Sequence, residues 1–286
     1  MSTLNTSLIL NEDCCHRLFG FCGTGCLREL LVRDVDVLGV CRRKFDSDLP
    51  LMTISDYSDT PVGDVLIHLA GERDLATAEE KGEAYQKHAL DLFANLIGKG
   101  FDRIIYGSSA QVYGDKENYP RNPNESVLPV NIYTQTKLAC EQLILKTRGV
   151  SARLANLYGP GMASNNVISD ILKQIPGNNP IQVRDDSSLR DFLWVEDAAR
   201  GLADMALASD LGVFNLGSGK GVSIGELLRQ VLSLAGQSDR EIQVLRPSKK
   251  PSNLTLDISL TTETFGWLPK VELAEGLRRL IGKDYD

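Results

Sequence analysis

Three residues in the middle of the chain, Ser109, Tyr133 and Lys137, have the types and spacing needed to move a proton to or from a carbinol. Tyr133 and Lys137 lie four residues apart in a predicted helix, so they share one of its faces. An ammonium beside a phenol favours the phenolate, and Ser109, predicted at a strand end, can hydrogen-bond the same substrate oxygen. The three side chains are therefore predicted to exchange a proton while a hydride leaves or reaches the adjoining carbon.

The elements that must position these side chains alternate between strand and helix through the first half of the chain. Strands are predicted at 7–10, 35–40, 51–54, 64–70 and 103–106, and helices at 27–32, 79–98 and 133–146. This alternation predicts an α/β fold with a Rossmann-type, doubly wound parallel sheet. The shorter elements and more frequent turns after about residue 157 predict a smaller C-terminal α/β domain that binds the substrate.

Two motifs at this point of the chain resemble a known family. The run Tyr-Gly-Ser-Ser-Ala-Gln-Val-Tyr-Gly at 106–114, followed by Tyr-Thr-Gln-Thr-Lys at 133–137, resembles the extended short-chain dehydrogenases/reductases, the family of NAD-dependent nucleotide-sugar epimerases, dehydratases and reductases. The resemblance continues through Arg-Leu-Ala-Asn-Leu-Tyr-Gly-Pro-Gly at 153–161 and Arg-Asp-Phe-Leu-Trp-Val-Glu-Asp at 190–197. It implies a dinucleotide-binding domain over 1–156, with segments returning near 190–217, and a mainly substrate-binding domain over 157–286.

The resemblance also implies roles for the three chemical residues. Ser109 orients the substrate oxygen, Tyr133 is the acid/base, and Lys137 favours the phenolate of Tyr133 and holds the cofactor ribose. His68, within a predicted buried strand, is interpreted as structural.

NAD or NADP is the cofactor that the resemblance implies. Gly20 and Gly23 match the last two glycines of the loop that binds the pyrophosphate at a helix N-terminus, whereas Arg17 stands at the first. Arg42 and Arg43 follow the second strand; two guanidiniums suit a 2′-phosphate and so favour NADP, or they form a basic surface turn. The remaining implied contacts are Asp56 at the adenine, unless it caps a turn, and the backbone edge at Ala70 and Gly71.

A nucleoside-diphosphate sugar is the substrate that the resemblance implies. Asn156, Arg190 and Arg246 are the implied contacts, and the two guanidiniums can bind a diphosphate unless they form surface ion pairs. Family members that eliminate water or carboxylate carry an extra acid and base at the positions of Ala110 and Gln111, neither of which exchanges a proton at neutral pH. Gln111 is predicted to bind substrate, and the reaction to be epimerisation or 4-keto reduction at one carbinol carbon.

Composition narrows the other possibilities. A net charge of −7 and a pI of about 5.1 argue against a nucleic-acid partner. No apolar run reaches the length of a membrane span, and six cysteines in 286 residues do not suggest a disulfide framework, so a cytoplasmic location is predicted. The cysteines at 14, 15, 22 and 26 with His16 fit no closed tetrahedral pattern, so no metal site is predicted.

Two other functions stay open on the sequence. Arg17 and the lengthened link after the first strand are compatible with a non-catalytic nucleotide-sugar-binding relative, and the third possibility is a reductase of a small non-nucleotide carbonyl. A homodimer is predicted through the helices at about 86–98 and 133–146, where Leu90, Phe93 and Ile97 fall at helical spacing.

Overall fold

The computed structural model describes residues 7–12, 22–44, 47–71, 75–248 and 250–283. The strands are β1 (Leu8–Asn11), β2 (Val37–Cys41), β3 (Leu51–Thr53), β4 (Val65–His68), β5 (Arg103–Ser109), β6 (Gly149–Leu154), β7 (Asn156–Tyr158), β8 (Ile181–Val183), β9 (Leu189–Trp194), β10 (Gly212–Leu216), β11 (Gly221–Ser223), β12 (Ile242–Val244) and β13 (Asn253–Leu254). The helices are α1 (Gly23–Val32), α2 (Leu75–Gly98), α3 (Ile132–Ile144), α4 (Val167–Leu172), α5 (Val195–Leu207), α6 (Ile224–Leu234), α7 (Ser259–Phe265) and α8 (Leu273–Lys283).

Seven of these strands form one parallel sheet in the order β10-β6-β5-β4-β1-β2-β3. The chain leaves β1 towards β2 and β3, then returns to β4 on the other side of β1. Ligands of doubly wound sheets bind at such a reversal, beside the carboxyl ends of the strands. The predicted Rossmann-type fold is confirmed.

Two helical layers cover this sheet because its strand residues alternate between the faces. On β1, Leu8 and Leu10 pack in the cluster that includes Leu27 of α1 and Leu202 of α5. Ile9 points the other way, into the cluster built with α2 and α3. Both sheet faces are therefore buried, as a parallel sheet requires.

Among the elements near the site whose bounds differ from the prediction are β5 and α1. β5 continues to Ser109 instead of ending at residue 106, because Ser108 and Ser109 pair with Arg153 and Leu154 of β6. α1 begins at Gly23 instead of residue 27. The helix begins earlier because the carboxylate of Glu12, which lies outside the helix, accepts hydrogen bonds from the Cys22 and Gly23 N–H groups.

The second half of the chain adds a separate core beside the main sheet. β9 pairs with β7, β11 and β13, and β8 pairs with β12. α4, α6 and α8 pack around this small sheet with Trp194 and Tyr158 fully buried among them. This is the predicted smaller α/β region.

The predicted dimer helices, α2 and α3, pack against each other. Phe93 is buried, with its ring centroid 4.9 Å from that of His68 and 4.7 Å from that of Tyr106. It therefore serves the core under the sheet, while Leu90 and Ile97 are partly buried against the same cluster.

Across the part of the chain that the structure describes, no helix combines the length and the apolar composition needed to cross a membrane.

Candidate functional site

The three residues predicted to do chemistry are brought together by α3 and β5. Asn131 caps α3: its Oδ1 accepts the Thr134 N–H at 2.9 Å, and the Thr134 Oγ1 accepts the Asn131 N–H at 3.3 Å. This cap fixes the first turn, so that Tyr133 and then Lys137 lie on the buried face of the helix. Ser109 ends the neighbouring strand, and all three side chains are less than 10% exposed.

Lys137 is held in place by the strand that carries the serine. Its Nζ donates to the Gly107 carbonyl at 2.9 Å and lies 5.8 Å from the ring centroid of Tyr133. The Ser109 Oγ accepts the Gln111 N–H at 3.2 Å. The hydroxyl proton of Ser109 is therefore directed elsewhere, available to a bound oxygen.

These side chains line one cavity of about 1340 Å³. A pocket for one ligand spans about 300–1,000 Å³, so this volume accommodates a dinucleotide and a second ligand together. The residues predicted for the site that line it are Ser109, Tyr133, Lys137, Arg42, Arg43, Ala70, Gly71, Gln111, Asn156 and Arg190.

One end of the cavity follows β2 and β4. Arg42 and Arg43 lie there on the exposed surface, and the Arg42 guanidinium carbon is 5.4 Å from the ring centroid of Tyr57. Gly71 has a φ of 152°, a conformation that favours glycine, and leaves open space where a side chain would stand. Asp56 does not line the cavity: its carboxylate caps a short 3-10 turn through the Ser58 N–H at 2.7 Å, and that bond holds its pKa below the ordinary value.

The middle of this cofactor end differs from the expectation. Gly23 begins α1, as a pyrophosphate-binding glycine would, but its N–H and that of Cys22 are bound by the carboxylate of Glu12. Gly20 and Arg17 lie outside the described residues. The described residues therefore place basic side chains after β2 and open backbone at Gly71 along this part of the cavity, whereas an acidic side chain stands at the N-terminus of α1.

The other end of the cavity belongs to the second half of the chain. Arg190 lines it and is held by Ser252, whose Oγ accepts at 2.8 Å, and by Asp115 at 3.4 Å. Burial lowers the pKa of Arg190, and the charges of Asp115 and Asp185 oppose that effect. Asn156 donates its side-chain amide to the Asp191 carbonyl at 3.1 Å.

Arg246 is exposed and is not among the residues that line the cavity. Its backbone N–H donates to the Arg184 carbonyl at 2.7 Å, and it is Arg184 that lines the cavity with Arg190. The sequence analysis did not single out Arg184, although this residue directly follows β8 and begins the loop that leads to Arg190 on β9.

His68 is part of the structural support under the site. It is buried beside Asn11, and burial, together with the charge of Lys137, lowers the pKa of His68 to about 3. The imidazole is therefore neutral at neutral pH.

Within the described residues no group of histidine, cysteine and acidic side chains could hold a metal ion. Cys14, Cys15 and His16 lie outside those residues.

Comparison with known proteins finds relatives that are similar over most of the chain. Over 240 residues the chain is 27% identical to a putative UDP-glucose 4-epimerase of Methanocaldococcus jannaschii, a match that covers 76% of each chain. It is 26% identical to the dTDP-4-dehydro-6-deoxyglucose reductase of Escherichia coli over 201 residues, which are 66% of this chain and 63% of that one. MoeE5 in complex with UDP-glucuronic acid and NAD has a similar fold, with a TM-score of 0.83 at 23% identity over 98% of this chain and 99% of the other.

The match to a whole family is broader than any of these pairs. Residues 18–217, more than half of the chain, match the sequence profile of the NAD dependent epimerase/dehydratase family. This stretch contains the serine, tyrosine and lysine whose side chains line the same cavity. The chain therefore belongs to the NAD-dependent epimerase/dehydratase family, the nucleotide-sugar epimerases, dehydratases and reductases.

Proposed function

We propose that this protein is an NAD(P)-dependent nucleotide-sugar epimerase or 4-keto-sugar reductase. One observation carries the proposal: Ser109, Tyr133 and Lys137 line the same cavity as Arg184 and Arg190. A sugar bound with its diphosphate at the two arginines has room to place a carbinol at the three chemical residues. The names of the two relatives, a UDP-glucose 4-epimerase and a dTDP-4-dehydro-6-deoxyglucose reductase, each contain a nucleotide sugar, which supports the same substrate class here.

The proposed mechanism assigns one task to each side chain. Ser109 donates a hydrogen bond to the reacting oxygen and fixes its position. Tyr133 takes the hydroxyl proton when a carbinol is oxidised and returns it when a carbonyl is reduced. Lys137, anchored on the Gly107 carbonyl, keeps a positive charge near the phenolic ring and so stabilises the phenolate. A bound dinucleotide supplies the hydride acceptor or donor.

The residues next to Ser109 favour these two reactions over elimination. Ala110 is buried and Gln111 lines the cavity, so neither offers an acid or a base beside the substrate. Removal of water or carboxylate needs such a group, whereas epimerisation and keto reduction need only the serine, tyrosine and lysine with the dinucleotide.

We further propose NADP over NAD, because two guanidiniums beside the strand end suit a 2′-phosphate. A homodimer through α2 and α3, a cytoplasmic location and a boundary between the two binding domains near residue 156 complete the proposal.

Turnover assays distinguish the two reactions. Incubation with UDP-glucose and either NADP or NAD is expected to give the C4 epimer if the protein is an epimerase, and a dTDP-4-keto-6-deoxy sugar with NADPH is expected to consume NADPH if it is a reductase. No conversion of either class, with several nucleotide bases tried, while calorimetry shows nucleotide-sugar binding, contradicts the enzymatic proposal.

That last outcome would favour the second candidate function, a non-catalytic protein that binds nucleotide sugars. The observation in its favour is the Glu12 carboxylate at the N-terminus of α1, where a dinucleotide pyrophosphate would otherwise bind.

Arg190→Ala is expected to weaken nucleotide-sugar binding by about 1.5–3 kcal/mol, the scale of a lost charge-assisted hydrogen bond. The side chain of Arg190 is half-buried and lines the cavity, whereas Arg246 is exposed. Calorimetric titration with UDP- and dTDP-sugars measures the loss, and Arg246→Ala in parallel tests whether that arginine reaches the ligand. Arg28→Ala on the exposed face of α1 is the control. Unchanged affinity in Arg190→Ala, with an unchanged melting temperature, would remove Arg190 from the substrate site.

A further inference from the structure

The N-terminus of α1 is capped by a carboxylate from outside the helix. Cys22 provides no side-chain cap, and the first turn contains no acidic residue. Instead, the carboxylate of Glu12 accepts the Cys22 N–H at 3.2 Å through Oε1 and the Gly23 N–H through Oε2. The first N–H groups of a helix have no partner within it, and the positive end of the helix dipole favours a negative charge there. Glu12 meets both requirements.

The main chain of Glu12 is hydrogen-bonded through both its N–H and its carbonyl. The Glu12 N–H donates to the Val40 carbonyl at 3.3 Å, and the Glu12 carbonyl accepts the Tyr57 hydroxyl at 2.7 Å. The residue is 2% exposed. Its main chain is tied to β2 and to Tyr57, so displacing the carboxylate from the helix requires a movement of its side chain.

The carboxylate stands where the expected cofactor carries its own charge. Glu12 and Cys22 line the cavity that contains Tyr133 and Lys137, and Gly23 is the glycine expected beside the pyrophosphate. A pyrophosphate bound at this helix would need the same two N–H donors. Two negative groups so close together in a largely buried place would also repel each other more strongly than in water.

We propose that Glu12 determines dinucleotide affinity: its carboxylate holds the pyrophosphate donors of α1, and a dinucleotide binds only by displacing it. The inference rests on the proposed function, in which a dinucleotide occupies this cavity. Its consequence is specific. Removing the charge of Glu12 improves binding of ligands that place a phosphate at α1 and leaves binding of uncharged nucleosides unchanged.

Fluorescence titration with NADPH and NADH tests this on the full chain. Glu12→Ala is expected to lower the Kd by at least about tenfold, equivalent to about 1.4 kcal/mol. Glu12→Gln is expected to give a smaller gain, since its amide oxygen still accepts one N–H while the charge is lost. Glu263→Gln, the same chemical change at an exposed position of α7, is expected to leave the Kd unchanged. Adenosine, measured by calorimetry, is expected to bind all four proteins equally.

Each alternative result has a separate meaning. If each dinucleotide binds the wild type and both Glu12 variants with the same Kd, the inference is overturned and the proposed function stands. Weaker binding in the variants also overturns it, because Glu12 would then assist the dinucleotide. If none of the proteins binds a dinucleotide up to millimolar concentration while all bind a UDP-sugar, the inference and the hydride-transfer function both fail. Glu12→Gln keeps the test valid if Glu12→Ala, having lost its helix cap, does not fold.

Discussion

Replacing Tyr133 with phenylalanine is expected to lower kcat by about a hundredfold or more, the usual scale for a positioned acid/base, while dinucleotide binding is unchanged. The substitution removes only the phenolic oxygen from a ring that is 9% exposed and that lies 5.8 Å from the Lys137 Nζ. A hundredfold loss corresponds to about 2.7 kcal/mol of transition-state stabilisation. Steady-state kinetics with the substrate identified by the turnover assays measures it, and dinucleotide fluorescence verifies that the site is intact.

Tyr106→Phe is the matched comparison, because its phenol also lies beside the same ammonium. The Lys137 Nζ is 4.9 Å from the Tyr106 ring centroid, which is nearer than the ring of Tyr133. Burial, however, raises the pKa of Tyr106 well above its ordinary value, and its ring packs against Phe93. Tyr106→Phe is therefore expected to stay within a few-fold of wild-type kcat. Wild-type activity in Tyr133→Phe, or equal losses in the two variants, would contradict the role given to Tyr133.

The parts of the fold that the sequence predicted are those governed by local pattern. The continuous apolar run Leu8-Ile9-Leu10 identified a buried parallel strand, and the helical spacing of Tyr133 and Lys137 placed both on the inner face of α3. The cap at Asn131 and Thr134, which the sequence analysis did not name, is also local, since both its bonds lie within four residues of chain. Where periodicity and short-range hydrogen bonds favour the same secondary structure, that structure can be predicted without knowledge of the tertiary packing.

The features that the sequence did not predict depend on contacts between distant segments. Glu12 reaches Cys22 and Gly23 only because β1 ends beside the start of α1, and Arg184 enters the cavity only through the pairing of β8 with β12. Neither residue type is unusual at its position, so no local pattern marks it.

A buried ion pair behind the site gives the largest expected effect on stability. Arg153 of β6 donates through Nη2 to the Glu141 Oε2 at 2.7 Å, with side chains 5% and 1% exposed. Ser108 of β5 also donates to this carboxylate. Glu141 is one helical turn beyond Lys137 on α3. Its bonds to Arg153 and Ser108 therefore hold α3 against β6 and β5. Its loss would loosen the element that carries Tyr133.

Glu141→Gln is expected to destabilise the protein by about 3–5 kcal/mol, because it leaves the Arg153 guanidinium charged and buried without a counter-ion. Asp91→Asn makes the same chemical change in the exposed Lys87–Asp91 pair of α2, where the side chains are 78% and 66% exposed, and is expected to have less than about 1 kcal/mol of effect. Urea unfolding of the two variants measures both values.

The double variant Glu141→Gln, Arg153→Met separates the burial of an unpaired charge from a simple loss of packing. If the unpaired charge causes the instability, removing the guanidinium as well restores part of the stability, and the double variant is more stable than the sum of the two single variants predicts. Additive losses would show that the two side chains contribute independently. A Glu141→Gln variant as stable as Asp91→Asn would show that the pair does not fasten α3 to the sheet.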